Sequence, residues 1–373
     1  MFNQRSLISP LFLSFALVVF TASATPTPAV PRSEPTAANN AGLAIPLRKR
    51  SGLANSNGVF DADKAKLDVV FTHNKHRQNM LNYLSTQGSF GSSDLWIPSS
   101  DCSSSTCSSK SKYDSSASST SEAQSGTFQI QYGDGTTVSG PIFADDVTVA
   151  GISVTGQHFA SVTNDSISGP FDGILGMAYS SLSNLRSTTF FETAINQSAV
   201  SNKQFSFYLA SNASELYMGG TNDQLYTGDI EYHAVDTNPG YWKISGWNVI
   251  SDITTIVDSG TTVIYGPTAA VKTFWESVPN SKALDSDPGF YSYPCNQTPE
   301  VSFSWGGQSW NISAATFSSG STDSTSEYCV GAVAGQDIGF GPSTWLLGDS
   351  FMRNVYTVFD FGSDQLGFAQ LSS

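Results

Sequence analysis

The sequence is poor in charge. Asp, Glu, Lys and Arg together make up 13% of its 373 residues, and 17 basic residues face 31 acidic ones. So acidic a chain is a poor partner for nucleic acid. Beyond the first two dozen residues no apolar run is long enough to span a bilayer as a helix, so no membrane anchor is expected. There is no CxxC and no Cys/His cluster, so nothing suggests zinc or another metal, and no cofactor is implied. No short-period repeat marks a solenoid.

What is present is β-rich. Hydrophobic residues are 39% and aromatics 12%, with abundant Gly, Ser and Thr. Low charge with many aromatic, β-branched and turn-forming residues favours a mainly β globular protein. The length suits two packed lobes at roughly 150 residues each.

The first 24 residues read as a secretory signal peptide. Arg5 precedes the apolar stretch "LISPLFLSFALVVF", and "TASA" closes on a small-x-small site, so cleavage is expected after Ala24. The other reading, a transmembrane anchor, is disfavoured by the short run. Secretion into an oxidising compartment makes disulfides of Cys102, Cys107, Cys295 and Cys329 expected, in any of three connectivities, sequential pairing being the simplest. Sequons at Asn164, Asn196, Asn212, Asn296 and Asn311 fit an extracellular glycoprotein.

Charge divides the chain. Residues 25–80 hold eight Lys/Arg and four Asp/Glu, whereas residues 81–373 hold eight and 27. The basic front could dock on the acidic body by charge, or be a basic linker with no docking role. The acidic body would repel itself less at low pH, so an acidic working environment is plausible. "RKR" at 48–50 is either a processing site or a basic patch.

Residues 25–47 are rich in Pro and Ala and read as a flexible start to a prosegment. Part of the apolar run around Ala65, Leu67 and Val69 could be helical. "TFQIQYGDGTTVSGPIFADDVTVAGISVTGQHFASV" alternates apolar and polar residues between Gly-containing turns, as antiparallel hairpins do. "STTFFETAINQ" predicts a short helix capped by Ser187 or Thr188, and "GPTAAVKTFWESV" a helix starting after Pro267. "FSFYLASNASELYMGG" predicts strands, and a second β-rich half opens near residue 226.

The chemistry centres on "TTIVDSGTTVIYGP", residues 254–267. Ile256 and Val257 can end a buried strand, leaving Asp258 before a turn that Gly260 permits. Hydroxyls at Ser259, Thr261 and Thr262 can orient its carboxylate. By itself an Asp-Ser-Gly turn can equally be an ordinary turn.

Further motifs resemble those of the pepsin-like aspartic endopeptidases, in particular the secreted fungal branch. Asp258-Ser259-Gly260-Thr261 matches the family's second catalytic motif. Tyr132-Gly133-Asp134-Gly135 matches its flap, "FDGILGMAY" at 171–179 a first-lobe stretch, and "WLLGDSFMRNVYTVFDFGSDQLGFA" its C-terminal end. "THNKHRQNMLN" resembles the end of fungal propeptides. The resemblance implies a bilobal pepsin-like acid protease fold: prosegment 25–84, first lobe 85–225 with the flap, second lobe 226–373 with Asp258. It places Cys102–Cys107 and Cys295–Cys329 as the two disulfides. It implies a monomeric zymogen whose own prosegment covers the cleft, and protein or peptide substrates cut in acid. Two aspartates, one per lobe, would share a proton, one activating water as base and the other polarising the scissile carbonyl. Tyr132 would close over the peptide with Gly133 and Asp134, while Thr262, Trp96, Phe128 and Ile130 would line subsites.

The first catalytic motif departs from the pattern. Gly91, Ser92, Ser93, Asp94, Leu95 and Trp96 align, but Ser89 stands at the aspartate and Phe90 at the threonine whose hydroxyl would reach Ser259. Ser89 cannot share a proton with Asp258, and Asp94 lies at a position without catalytic duty. The strands expected before the first aspartate are missing too, since "YLSTQGSF" lacks strand alternation. The first lobe is therefore truncated at its start, as one contiguous block. A splicing or gene-model loss fits a block better than scattered drift does. Three readings follow: an aspartic endopeptidase missing a segment, a pseudo-protease that binds peptides or inhibitors without cutting, and a homodimer contributing one Asp-Ser-Gly turn per chain, the least favoured.

Overall fold

The computed structural model describes residues 42–47, 52–66, 68–69, 72, 93–131, 137–167, 172–211, 213–247, 252–285, 287–337 and 339–372. The signal-peptide, "RKR", Ser89, Phe90, Gly91, Ser92, Tyr132, Gly133, Asp134 and Gly135 expectations lie outside these residues. The fold is mainly β and bilobal, as expected.

Strand β1 (Leu43–Leu47) lies where a flexible start was expected. Ile45 and Leu47 are buried while Ala44 and Pro46 face out, a period of two that the Pro/Ala composition masked. Proline is tolerated because β1 is an edge strand.

The first lobe is built from β2 (Leu95–Pro98), β3 (Glu122–Gln131), β4 (Thr137–Val149), β5 (Ile152–Val162) and the short β6 (Ile174–Leu175), in the order β3-β4-β5-β2-β6. Strands β3 and β4 form an antiparallel hairpin on either side of residues 132–136. Phe128 sits opposite Gly140 and Ile130 opposite Val138, so the alternating apolar residues share the buried face. Helix α1 (Phe190–Asn196) starts one residue later than a Thr188 cap would set it and two later than a Ser187 cap. Its cap is Thr189, because Glu192 lies three residues on and completes a reciprocal capping box. The Thr188 hydroxyl instead meets that of Thr193.

Strands β7 (Gln204–Tyr208), β8 (Ser214–Met218) and β9 (Tyr226–Ala234) lead into the second lobe. That lobe contains β10 (Lys243–Trp247), β11 (Asp252–Val257), β12 (Ile264–Gly266), helix α2 (Thr268–Ser277), β13 (Val301–Ser304), β14 (Ser309–Ile312), β15 (Val333–Gly335) and β16 (Thr344–Leu347). Its sheet runs β14-β13-β10-β11-β16-β12-β15. Helix α2 follows Pro267 as expected and buries Val271 and Trp275, one turn apart.

The short helix α3 (Asp349–Met352) leads to β17 (Val355–Asp360) and β18 (Gln365–Leu371). These close a third sheet, β1-β8-β7-β17-β18-β9, which joins strands of both halves. Phe205, Phe359, Phe361, Trp242 and Tyr179 interleave there with ring centroids 4.7–6.2 Å apart. Such aromatic packing ties the halves together beyond simple area burial. Both disulfides pair as the resemblance implied, Cys102–Cys107 and Cys295–Cys329.

Among its described residues the front segment meets the body through backbone and apolar contacts as well as charge. Beyond the β1–β8 ladder, Phe60 N–H donates to Ser321 O and Ser321 N–H to Gly58 O. Leu53 and Ala65 are buried, and the Phe60 ring meets Phe290 at 5.4 Å. Lys66 Nζ lies 3.9 Å from Asp287, but the segment's Asp68 is also inserted into the acidic body.

A candidate active site with one described aspartate

Asp258 follows β11, whose Ile256 and Val257 are buried in the second-lobe core. Strand β11 runs parallel to β16, and Asp258 N–H donates to Leu347 O at 2.9 Å, so the sheet fixes where the carboxylate emerges. The carboxylate is 2% exposed. Gly260 N–H donates to Oδ1 at 2.9 Å and the Thr261 hydroxyl to Oδ2 at 2.7 Å. Both oxygens are thereby oriented by donors two and three residues along the chain, an arrangement that holds an ionised carboxylate in place.

The loop is braced from behind. Asp349 N–H donates to Thr261 O, while Ser350 N–H and Oγ both donate to Thr262 O. Gly348 makes this approach possible. A Cβ there would sit 2.3 Å from Thr261 O and 2.5 Å from Val263 O.

The first lobe repeats this frame. Leu95 and Trp96 pair antiparallel with Leu175 and Ile174, as Ile264 and Tyr265 pair with Leu347 and Leu346. Strand β2 runs parallel to β5 as β12 runs parallel to β15. Gly176 N–H donates to Asp94 O as Gly348 N–H donates to Val263 O. A Cβ on Gly176 would likewise lie 2.3 Å from backbone, at Ser93 C. Matching Leu95 to Ile264 and counting back six residues in each lobe sets Ser89 against Asp258, and Phe90 against Ser259. The two lobes therefore share a duplicated strand register.

Other expected residues fall into place around this frame. Asp94 is wholly buried and accepts hydrogen bonds from Ser183 Oγ, Asn184 N–H and Nδ2, and Leu185 N–H. It is a structural carboxylate that anchors the loop before α1. Trp96 is fully enclosed, with the Lys110 ammonium 5.9 Å above its ring. Phe128 and Ile130 are also buried, so all three pack the first-lobe core rather than forming an exposed wall. Thr262 and Tyr265 donate to the two oxygens of Asp68, a contact that sequence reasoning missed. The Ser259 hydroxyl is buried and, among the described residues, has no hydrogen-bond partner. It lines a cavity of about 710 Å³ between the front residues 52–55, Phe207 and Leu209, and the loops around Thr316 and Asp349.

With this geometry in hand, relatives can be compared. The family model for eukaryotic aspartyl proteases matches residues 89–371. The chain belongs to the eukaryotic aspartyl protease family. An aspartic protease of Phaffia rhodozyma is 42% identical over 296 residues, 75% of this chain and 71% of that protein. Major aspartyl peptidase 1 of Cryptococcus neoformans var. grubii is 31% identical over 365 residues, 88% and 74% of the two chains. Pepsin A of Sus scrofa is 34% identical over 299 residues, 76% of each. The aspartyl protease match begins at Ser89, two residues before Gly91, where the motif resemblance begins. Among the described residues no helix is long and apolar enough to cross a membrane.

Proposed function

We propose that this chain derives from a secreted, acid-acting aspartic endopeptidase that hydrolyses peptide bonds in proteins, and that its 373-residue form carries half of the catalytic pair. In this reading Asp258 is one member, held by Gly260 and Thr261. The other would come from a segment ahead of Gly91 that this form lacks. With both carboxylates present, one proton would be shared between them, and the ionised member would take a proton from a bound water as that water attacks the scissile carbonyl. Residues 25–84 act as a prosegment, 85–225 as the incomplete first lobe and 226–373 as the second. Tyr132, Gly133 and Asp134 serve as the flap tip, Gly91 and Ser92 support the first motif, and the sequons carry glycans. The protein acts as a monomer on protein or peptide substrates. The matches to Phaffia and Cryptococcus proteins support a fungal origin.

The observation that carries this reading is the duplicated frame. Counted along the sequence from the matched strands, Ser89 takes the position of Asp258, and among the described residues the buried Ser259 hydroxyl has no hydrogen-bond partner. A buried unpaired hydroxyl costs about 1–3 kcal/mol, so a site built to bond it is missing its complement. The same observation favours a second reading, in which the chain as written is a pseudo-protease that binds peptides or inhibitors.

The test is acid proteolysis of a denatured protein substrate, with and without a statine-type inhibitor. The 373-residue chain is expected not to cleave, and transcript sequencing across codons 80–92 is expected to recover a longer form with an aspartate before its Gly91. Inhibitable cleavage by the chain as written, lost in Asp258→Ala, would overturn the half-pair reading. A clean transcript encoding "YLSTQGSF" would leave the pseudo-protease as the function.

A further inference from the structure

Asp68 is a carboxylate from a basic segment, enclosed to 7% exposure in an acidic body. Its Oδ1 accepts from Thr262 Oγ1 at 2.5 Å and its Oδ2 from Tyr265 Oη at 2.8 Å. Both donors are nine-tenths enclosed or more, with Thr262 8% exposed and Tyr265 0%. They lie four and seven residues after Asp258, on the turn and strand that its loop leads into.

The donor positions are rigid. The Thr262 carbonyl is held by Ser350 through both its N–H and its hydroxyl. Tyr265 is fixed in β12 between β15 and β16, with its ring edge-on to Phe290 at 6.5 Å. Two fixed hydroxyls that reach separate oxygens of one group select for a carboxyl. An apolar side chain of the same size would strand both hydroxyls, and sites built around polar groups reject such analogues strongly. Both of these donors are neutral hydroxyls. A protonated carboxyl keeps acceptor capacity on its oxygens.

We propose that Thr262 and Tyr265 form a carboxyl-recognising subsite beside Asp258. Asp68 fills it in this chain. Once residues 25–84 are displaced it takes an Asp or Glu side chain of a bound peptide. The proposal rests on the reading of the cleft as a peptide-binding site, but its test does not require cleavage.

Two measurements at pH 5 test it. In the first, amide hydrogen exchange of residues 62–66 is followed in full-length chains with Asp, Asn or Leu at position 68. The wild-type chain is expected to protect these amides at least tenfold more than Asp68→Leu, with Asp68→Asn between them. The combined change Thr262→Val with Tyr265→Phe is expected to flatten the series to within twofold. A purely space-filling role predicts that Leu protects as well as Asp. That result, or a series that persists without the two hydroxyls, would overturn the proposal.

In the second, a fluorescein-labelled peptide copying residues 62–72 is titrated by anisotropy against the Asp68→Leu chain, whose own segment has lost its anchor. It is expected to bind at least tenfold more tightly than the same peptide with Leu at the Asp68 position. Equal affinity, or no binding of either peptide to a chain whose own segment exchanges freely, overturns the subsite for peptides in trans. Inhibitable proteolysis without this preference would overturn the subsite alone. Absence of proteolysis with the preference intact would leave the subsite standing.

Discussion

Ser183 Oγ donates to Asp94 Oδ1 at 2.8 Å across 89 residues of sequence, and this bond fixes the first lobe's turn against the loop before α1. Three more donors from Asn184 and Leu185 converge on the same carboxylate. Asp94→Ala would leave all four donors, two of them buried, short of a partner. The expected loss is about 3–5 kcal/mol, by analogy with breaking one side of a buried charged network. Urea denaturation measures it. A loss below about 1 kcal/mol would mean that water replaces the carboxylate.

The twin glycines of the repeated frame should be equally intolerant. A Cβ on Gly348 or Gly176 falls 2.3 Å from backbone atoms that sheet pairing holds in place. Each Gly→Ala change is expected to cost at least about 3 kcal/mol, the upper part of the overpacking range. Thermal unfolding of the two variants checks this. A marked difference between them would show that the frames differ in rigidity despite their matched register.

Lys110 and Asp165 form a buried ion pair at 2.6 Å, with both side chains almost wholly enclosed and Ile167 O accepting from the same ammonium. Replacing either partner alone with an apolar residue is expected to cost about 3–5 kcal/mol, because the other charge stays buried. Lys110→Met with Asp165→Leu together should recover much of that loss. A double-mutant cycle in denaturant gives the coupling.

Asp145 should make the first lobe sensitive to strong acid. Burial raises its pKa, but hydrogen bonds from Thr120, Tyr113, Ser118 and the Asp146 N–H outweigh burial and lower it below the ordinary 3.8. A carboxylate lowered in this way adds stability above its unfolded value and loses it as pH falls through the folded value. Stability measured from pH 6 to pH 2 should drop below about pH 4 in the wild type. In Asp145→Asn it should start lower and drop less. Parallel profiles would rule out Asp145 as a source of that acid dependence.

The two disulfides should differ in worth. Cys295–Cys329 spans 34 residues and Cys102–Cys107 only five. Loop-closure entropy predicts about 4 kcal/mol for the first and about 2 kcal/mol for the second. Paired Cys→Ser variants compared by denaturation midpoint check the order.

Much of this was legible because it is local. The β3–β4 hairpin, α2 and the loop at Asp258 depend on neighbours a few residues away, and alternation or a turn residue announces them. Strand β1 was not legible: five residues with a proline carry too little pattern, and it is a strand because β8 offers it an edge. The full burial of Trp96 was not legible for a related reason. A large aromatic suits a cleft or a core equally well, and the packing around Lys110 decided for the core.

By itself, then, the sequence determined the β-rich class, the family motifs, the disulfide cysteines and the loop that holds Asp258, whose carboxylate and both its donors lie within three residues of chain. Tertiary structure decided the rest. It paired Asp68 with Tyr265 across 197 residues, Asp94 with Ser183 across 89 and Lys110 with Asp165 across 55, and it repeated one strand register in both lobes. Buried polar groups must find partners when water is excluded, but which partner each one finds is set only when distant strands close on one another.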